Sequence, residues 1–227
     1  MPAPLENLSL RAQLRVDRLP LRLGALFVGL TGFGISIAML IRAGLGAMPW
    51  DVLQVALAER TGLTVGTVII VVSLLVLAAW IPLRQHPGIG TLANAVWVGI
   101  AADVALAVLH APDALAARIA LLLGGIVLNA VSSALYIGAQ LGPGPRDGLM
   151  TGVHRRWGLP IGRVRLGVEV TVIALGWLLG GPIGVGTVLY AVGIGPLVQR
   201  VLPFLTIPVR RGPRQLPGAG PAAAQSQ

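Results

Sequence analysis

The sequence predicts an all-α fold: a polytopic transmembrane bundle of six spans, built as two three-span repeats of inverted topology, with short interfacial or re-entrant helices between spans. Three observations predict it. First, 55% of the 227 residues are hydrophobic and only 11% are charged, with a mean hydropathy of +0.83; soluble domains carry about a quarter charged residues. Second, the apolar residues gather into six long runs separated by Gly, Pro and Arg. Third, the chain repeats itself at an offset of 96 residues, without a gap, from Arg22/Arg118 to about Gly99/Gly195. About a third of the paired positions are identical, including Gly29/Gly125, Leu45/Leu141, Gly46/Gly142, Pro49/Pro145, Asp51/Asp147, Gly62/Gly158, Gly66/Gly162, Gly90/Gly186 and Thr91/Thr187.

Residues 1–18 are polar and Arg-containing, with Leu5, Leu8, Leu14 and Val16 loosely at helical spacing, as in a short interfacial helix. The first repeat covers 19–110. Its opening run, Leu19 to Ile41, is too long for the apolar core of a signal peptide and long enough to cross the roughly 30 Å hydrocarbon layer. The next runs are Gly66 to Leu83 and Thr91 to His110. The second repeat, 115–205, supplies Arg118 to Gln140, Gly162 to Leu179 and Thr187 to Leu205. Between the first two spans of each repeat lie Asp51 to Arg60 and Asp147 to Trp157. Ten helical residues rise only about 15 Å, so these pieces are interfacial or re-entrant. The tail, 206–227, is rich in Pro, Gly, Ala and Gln and reads as a disordered cytoplasmic segment.

Arginine placement sets the orientation. All 17 basic residues are Arg. With the N-terminus inside, fourteen arginines fall on inner segments and three (Arg42, Arg60 and Arg118) on outer ones, as the positive-inside rule requires. Both termini are then cytoplasmic. Because each repeat has an odd number of spans, the second half enters the membrane inverted, the plan of several transporter folds. The net charge of +9 is read as topology and attraction to anionic lipid headgroups, not nucleic-acid binding.

Chemistry is sought first in the twin loops AGLGAMPWD (Ala43 to Asp51) and AQLGPGPRD (Ala139 to Asp147). Gly46, Pro49, Gly142 and Pro145 interrupt apolar segments at matching places, and broken helices in two halves are the sequence pointer to a transporter site. Asp51 and Asp147 either bind a cation or proton there or serve as N-caps of short surface helices; Arg146 is a binding candidate or a lipid anchor. The second twin feature, PGIGT and IGVGT, contains Gly90, Thr91, Gly186 and Thr187. It reads as a tight turn with positive-φ glycines and a threonine N-cap for the next helix. Carboxylates inside spans are functional candidates by default. Asp103 lacks a local partner, whereas Glu169 has Arg165 one turn earlier. Asn94, Asn129, Tyr136 and Tyr190 add hydrogen-bonding capacity, for ligand or for helix contact. Gly24, Gly29, Gly32, Gly34, Gly124 and Gly125 suit close helix approach.

Cysteine is absent, which excludes disulfides, thiolate metal sites and a cysteine nucleophile. The three histidines fall in no metal-binding pattern, and nucleophile-elbow and phosphate-loop motifs are missing. No catalysis, metal or cofactor is expected.

In the stretches IRAGLGAMPWDVLQ, WIPLRQHPGIGTLANA, YIGAQLGPGPRDGLMTG, RVRLGVEV, GWLLGGPIGVGTVLYA and GIGPLVQ, the chain resembles the bacterial YczE/YitT-like integral membrane proteins, specifically the YczE-like branch. The resemblance spans nearly everything between Arg22 and Leu202. It implies a multi-pass protein of a bacterial cell membrane and supplies neither a catalytic residue nor a substrate. The expected function is a small transporter or channel for a solute or ion, with its site at the repeat interface. The alternative is a non-transporting accessory or scaffold protein that holds a partner at the Arg-rich inner face, Arg146 to Arg165. The expected partners are the bilayer with its anionic headgroups, a small solute or ion, and, as an open alternative, a second copy of the chain.

Overall fold

The computed structural model of the chain describes residues 13–14 and 16–209. Most of the expected interfacial helix over 1–18 and of the tail over 206–227 lies outside the described residues. The rest is helical, without strands among the described residues, in the order α1 (Leu19–Ala43), α2 (Pro49–Thr61), α3 (Val65–Trp80), α4 (Ile89–Val108), α5 (Leu115–Gly138), α6 (Pro145–Trp157), α7 (Ile161–Leu178) and α8 (Val185–Leu205). The apolar runs become helices with ends within about three residues of those expected, because Gly and Pro stop helices by fixed backbone preferences. Gly62 and Gly158 end α2 and α6 in the left-handed conformation at φ 73° and 67°. Pro49 and Pro145 open the same two helices, where a missing N–H costs nothing.

Four helices, α1, α4, α5 and α8, are long and apolar enough to cross a bilayer. A fifth crossing follows if α2 and α3, bent by 116° at their break, act as one. α7 has the length but carries Arg163, Arg165 and Glu169, so composition alone does not class it as a span.

Helices α1 and α5 form the central pair and run antiparallel. The contacts that fix this direction cross the pair at both ends. A Cβ on Gly29 would stand 2.8 Å from the Ser132 carbonyl and the Tyr136 amide, and one on Gly125 would stand 3.2 Å from the Leu40 side chain. Of the span glycines, Gly29, Gly32, Gly34, Gly124 and Gly125 have such close neighbours, while Gly24 faces open space. α4 packs on α1 and α8 on α5.

Arg22 and Arg118 bind the pair end to end. The fully buried Arg22 guanidinium donates to the carbonyls of Ala139 at 3.1 Å, Ile207 at 3.2 Å, Pro208 at 3.1 Å and Asp17 at 2.9 Å. Arg118 donates to Ala43 and Gly44, both at 2.7 Å. Each arginine, near the start of one helix, therefore satisfies the orphan carbonyls at the end of the other. By sequence Arg22 counted only as an inner-face charge; its burial is a consequence of packing.

Polarity runs inside out. Arg22, Asp51, Gln54, Thr91 and Asn129 have no exposed surface, whereas Val28 is 63%, Trp177 65% and Phe204 87% exposed. Apolar surface on this scale is incompatible with water and suits lipid.

Candidate functional site

The two Gly/Pro loops are shaped by the same backbone angles and docked in the same way. Gly46 and Gly142 both take φ 115°, a conformation open to glycine and few other residues. The Leu45 carbonyl accepts from Gly186 N–H at 2.7 Å, and the Leu141 carbonyl accepts from Gly90 N–H at 2.7 Å. Each loop thus seats on the start of α8 or α4, a helix of the opposite half. Thr91 Oγ1 donates to the Pro143 carbonyl at 2.6 Å and accepts from Gly88 N–H at 3.0 Å; Thr187 Oγ1 accepts from Gly184 N–H at 3.3 Å.

Two expectations are corrected here. Gly88, Gly90, Gly184 and Gly186 do not have positive φ; they are small because a Cβ on Gly90 or Gly186 would crowd the docked Leu141 or Gly46 carbonyl. Thr91 and Thr187 cap from the third helical position, reaching back to the N-cap amide, and are not N-caps themselves.

The N-cap reading of the twin aspartates is also corrected. The N-caps of α2 and α6 are Met48 and Gly144, and each Asp lies inside the first turn. There a carboxylate faces the positive end of the helix without replacing the cap. Asp147 accepts a hydrogen bond from the Tyr136 hydroxyl at 3.3 Å. Asp51 has no exposed surface and accepts no hydrogen bond among the described residues; its counter-charge is Arg146, with Nη2 3.8 Å from Oδ1.

Arg146 joins the loops. Its guanidinium lies 4.8 Å above the Trp50 ring and donates to Gln54 Oε1 at 3.2 Å. Asp51 follows the end of α1, and Arg146 follows the end of α5, at opposite ends of an antiparallel pair. Their contact requires both loops to fold inward.

Beside this junction lies a cavity of about 260 Å³. Its walls include Trp50, Asn94, Tyr136, Arg146, Asp147, Arg165, Glu169 and Tyr190, with Phe33, Met48 and Ile194 as apolar surface. Arg165 Nε and Glu169 Oε1 pair at 2.9 Å. Tyr190 donates to Asn129 Oδ1 at 2.9 Å, and Asn129 Nδ2 donates to Ser36 Oγ at 2.7 Å, a chain that holds the Tyr190 hydroxyl. The starts of α2 and α6 (Pro49 and Pro145) reach the cavity too.

The structure therefore gathers Arg146, Asp147, Glu169, Asn94 and Tyr190 around one space and sets Asp51 directly behind it. Asp103 is elsewhere. Its partners are distant in sequence: Oδ2 accepts from Thr64 Oγ1 at 2.5 Å and Oδ1 from Gly66 N–H at 2.7 Å, fastening α4 to the start of α3. Gly46, Gly142, Gly90, Thr91, Gly186 and Thr187 form the loop docks and do not line the cavity. Residues missed in sequence are Trp50, Gln54 and the cavity-facing Arg165. Trp50 had a signal, since it holds the position in the first loop that Arg146 holds in the second.

A family model described as a family of unknown function (DUF6198) matches residues 20–203. A relative from Haemophilus influenzae, described as an uncharacterized protein, is 40% identical over 174 residues, which cover 77% of this chain and 80% of the relative. The uncharacterized membrane protein YczE of Bacillus subtilis is 36% identical over 190 residues, 82% of this chain and 88% of the relative. The uncharacterized protein YyaS of the same organism is 31% identical over 183 residues, 78% and 90% of the two chains. No solved structure matches.

Proposed function

This chain belongs to the family of unknown function DUF6198, a family of helical membrane proteins, and we propose that it is a small transporter or channel for a polar solute or ion. The observation that carries this reading is the meeting of the two broken-helix loops, through Arg146 and Asp51, beside a cavity of about 260 Å³ lined by charges of both signs. Irregular backbone at membrane depth is tolerated where it is covered by protein or lines a water-filled space. In a chain with this much apolar surface, such a cavity is the default binding site.

The architecture that accompanies this reading has six spans, with α7 as the fifth and the α2–α3 and α6–α7 units as bent pairs. The halves are inverted repeats, both termini are cytoplasmic, and the location is a bacterial cell membrane. Support comes from the antiparallel α1–α5 pair, the reciprocal caps of Arg22 and Arg118, the reciprocal loop docks and the bias of arginines to one side. The chemistry needed is binding and release. Arg146 meets the solute while Asp51 holds the guanidinium in place, and Asp147 and Glu169 supply the opposite charge. A solid interior would favour the accessory-protein alternative; a cavity that reaches Glu169 favours transport.

Proteoliposomes containing the purified protein, offered a defined mixture of small polar solutes, should accumulate one or more of them as read by mass spectrometry of the washed vesicles. Asp147→Asn should abolish the uptake. Wild-type uptake in both Asp51→Asn and Asp147→Asn would remove the loop carboxylates from the mechanism. Absence of any protein-dependent uptake, together with capture of one defined protein by crosslinking from Arg155, would favour the accessory role.

A further inference from the structure

The two halves differ most where α3 meets α4 and where α7 meets α8. α3 packs closely along α4. Gly66 and Gly99 are both buried, and a Cβ on either would collide with the other's carbonyl oxygen. The Asp103 carboxylate completes the seam by holding Thr64 and Gly66. At the corresponding positions, 96 residues on, Gly162 is exposed and Gly195 half-buried, and a Cβ on either would meet nothing within 4 Å. Gln199 stands where Asp103 stands, facing the cavity and not the start of α7. The seam between α3 and α4 is shut, and its counterpart between α7 and α8 is open. On this side the cavity is lined by Arg165 and Glu169 of α7 and by Val198 and Gln199 of α8.

We propose that the Asp103 clasp on Thr64 and Gly66 is the latch of the second gate of this protein. Resting on the transport reading, it assigns the present structure to the state open on the α7–α8 side. The opposite state arises when the two seams exchange conformations. Asp103 releases the start of α3, and the α3–α4 seam parts as the α7–α8 seam parts here. Gly162 then closes onto Gly195, as Gly66 now lies on Gly99. The device follows from elementary packing: glycine pairs let two helices meet at backbone distance, a seam of that kind is shut or open with little between, and a carboxylate bonded across it sets the balance. Gln199 stands in the cavity wall and is not bonded to the start of α7, so the other seam lacks this latch and rests open.

The absence of cysteine makes the test clean. With Asn94→Cys as a reporter in the cavity, an impermeant maleimide applied to sealed membrane vesicles of either orientation should label the wild-type background from the α7–α8 face. In Asp103→Ala, labelling from the opposite face should rise by roughly tenfold or more, since two hydrogen bonds to a charged group are lost. Asp103→Asn, whose amide can accept from Gly66 and donate to Thr64, should keep wild-type sidedness. Separately, Pro160→Cys/Gln199→Cys with Asp103 intact, at the counterparts of the side chains that meet across the shut seam at Thr64 and Asp103, should form a disulfide under mild oxidation, which requires Cα atoms to come within about 7 Å. Folded Asp103→Ala that labels as wild type does would overturn the latch, and failure of the disulfide pair to form would overturn the exchange of seams. Loss of labelling from the α7–α8 face in the wild-type background would instead overturn the cavity reading on which the proposal rests.

Discussion

Replacing Arg146 tests the loop junction most directly. Asp51 is fully buried, and Arg146 Nη2, 3.8 Å from its Oδ1, is the partner that offsets its charge. Removing one member of a buried ion pair costs about 3–5 kcal/mol, because the other is left uncompensated. Arg146 keeps 23% of its side chain exposed to the cavity, which places Arg146→Gln at the low end, about 3 kcal/mol. Asp51→Asn should cost less, about 1 kcal/mol, because the guanidinium still holds Gln54 and the Trp50 face and still touches the cavity. The double variant should then recover about 2 kcal/mol relative to the sum of the singles, within the range found for contacting residues. The assay is unfolding of the detergent-solubilised protein by a denaturing detergent, followed by tryptophan fluorescence; Trp50, under the guanidinium, reports on the junction itself. An Arg146→Gln effect within about 0.5 kcal/mol of wild type, the range of a surface substitution, would refute the junction, and so would strict additivity in the double variant.

Other consequences follow from the same geometry. Arg22→Ala leaves the Ala139, Ile207 and Pro208 carbonyls without their donor and should cost about 3–5 kcal/mol of stability in the same assay. Arg118→Ala strips only Ala43 and Gly44, nearer the surface, and should cost about 1–2 kcal/mol; the reverse order would contradict the caps. Gly148→Val drives a side chain into the Trp80 ring, whose Nε1 donates to the Pro145 carbonyl at 3.0 Å. The loss should be about 3 kcal/mol, read as a lower melting temperature in detergent, with Trp80→Ala partly rescuing it. For topology, reporter fusions after Ala111 and Gly181 should report outside and those after Gln85 and Arg156 inside; two on the wrong side would end the inverted-repeat reading.

Local backbone chemistry was legible from the residues themselves. The short helices expected over Asp51 to Arg60 and Asp147 to Trp157 are α2 and α6, which begin two residues earlier at Pro49 and Pro145 and are closed by Gly62 and Gly158, since Pro and Gly act on their own φ angles whatever surrounds them. The apolar runs announced the long helices, because burial in lipid asks only for sustained hydrophobicity. The same directness failed for the aspartates. Asp before an apolar run is a reasonable N-cap signal, yet Pro at the first helical position sets the cap three residues upstream, at Met48 and Gly144. It failed for Asp103 as well, because its partners, Thr64 and Gly66, come from another helix and leave no trace in local spacing.

The sequence by itself determined membrane class, helical content, helix ends and the offset that pairs the two Gly/Pro loops; these follow from composition and from conformational preferences of single residues. Only the tertiary structure decided that Arg146 reaches Trp50, Gln54 and Asp51, that Asp103 is a clasp and not a cavity carboxylate, and that one of two matching seams is shut and the other open. Those outcomes depend on distances between residues 33 to 96 positions apart, set when glycine-lined helices pack antiparallel, and packing of that range is a property of the folded assembly that no single segment encodes.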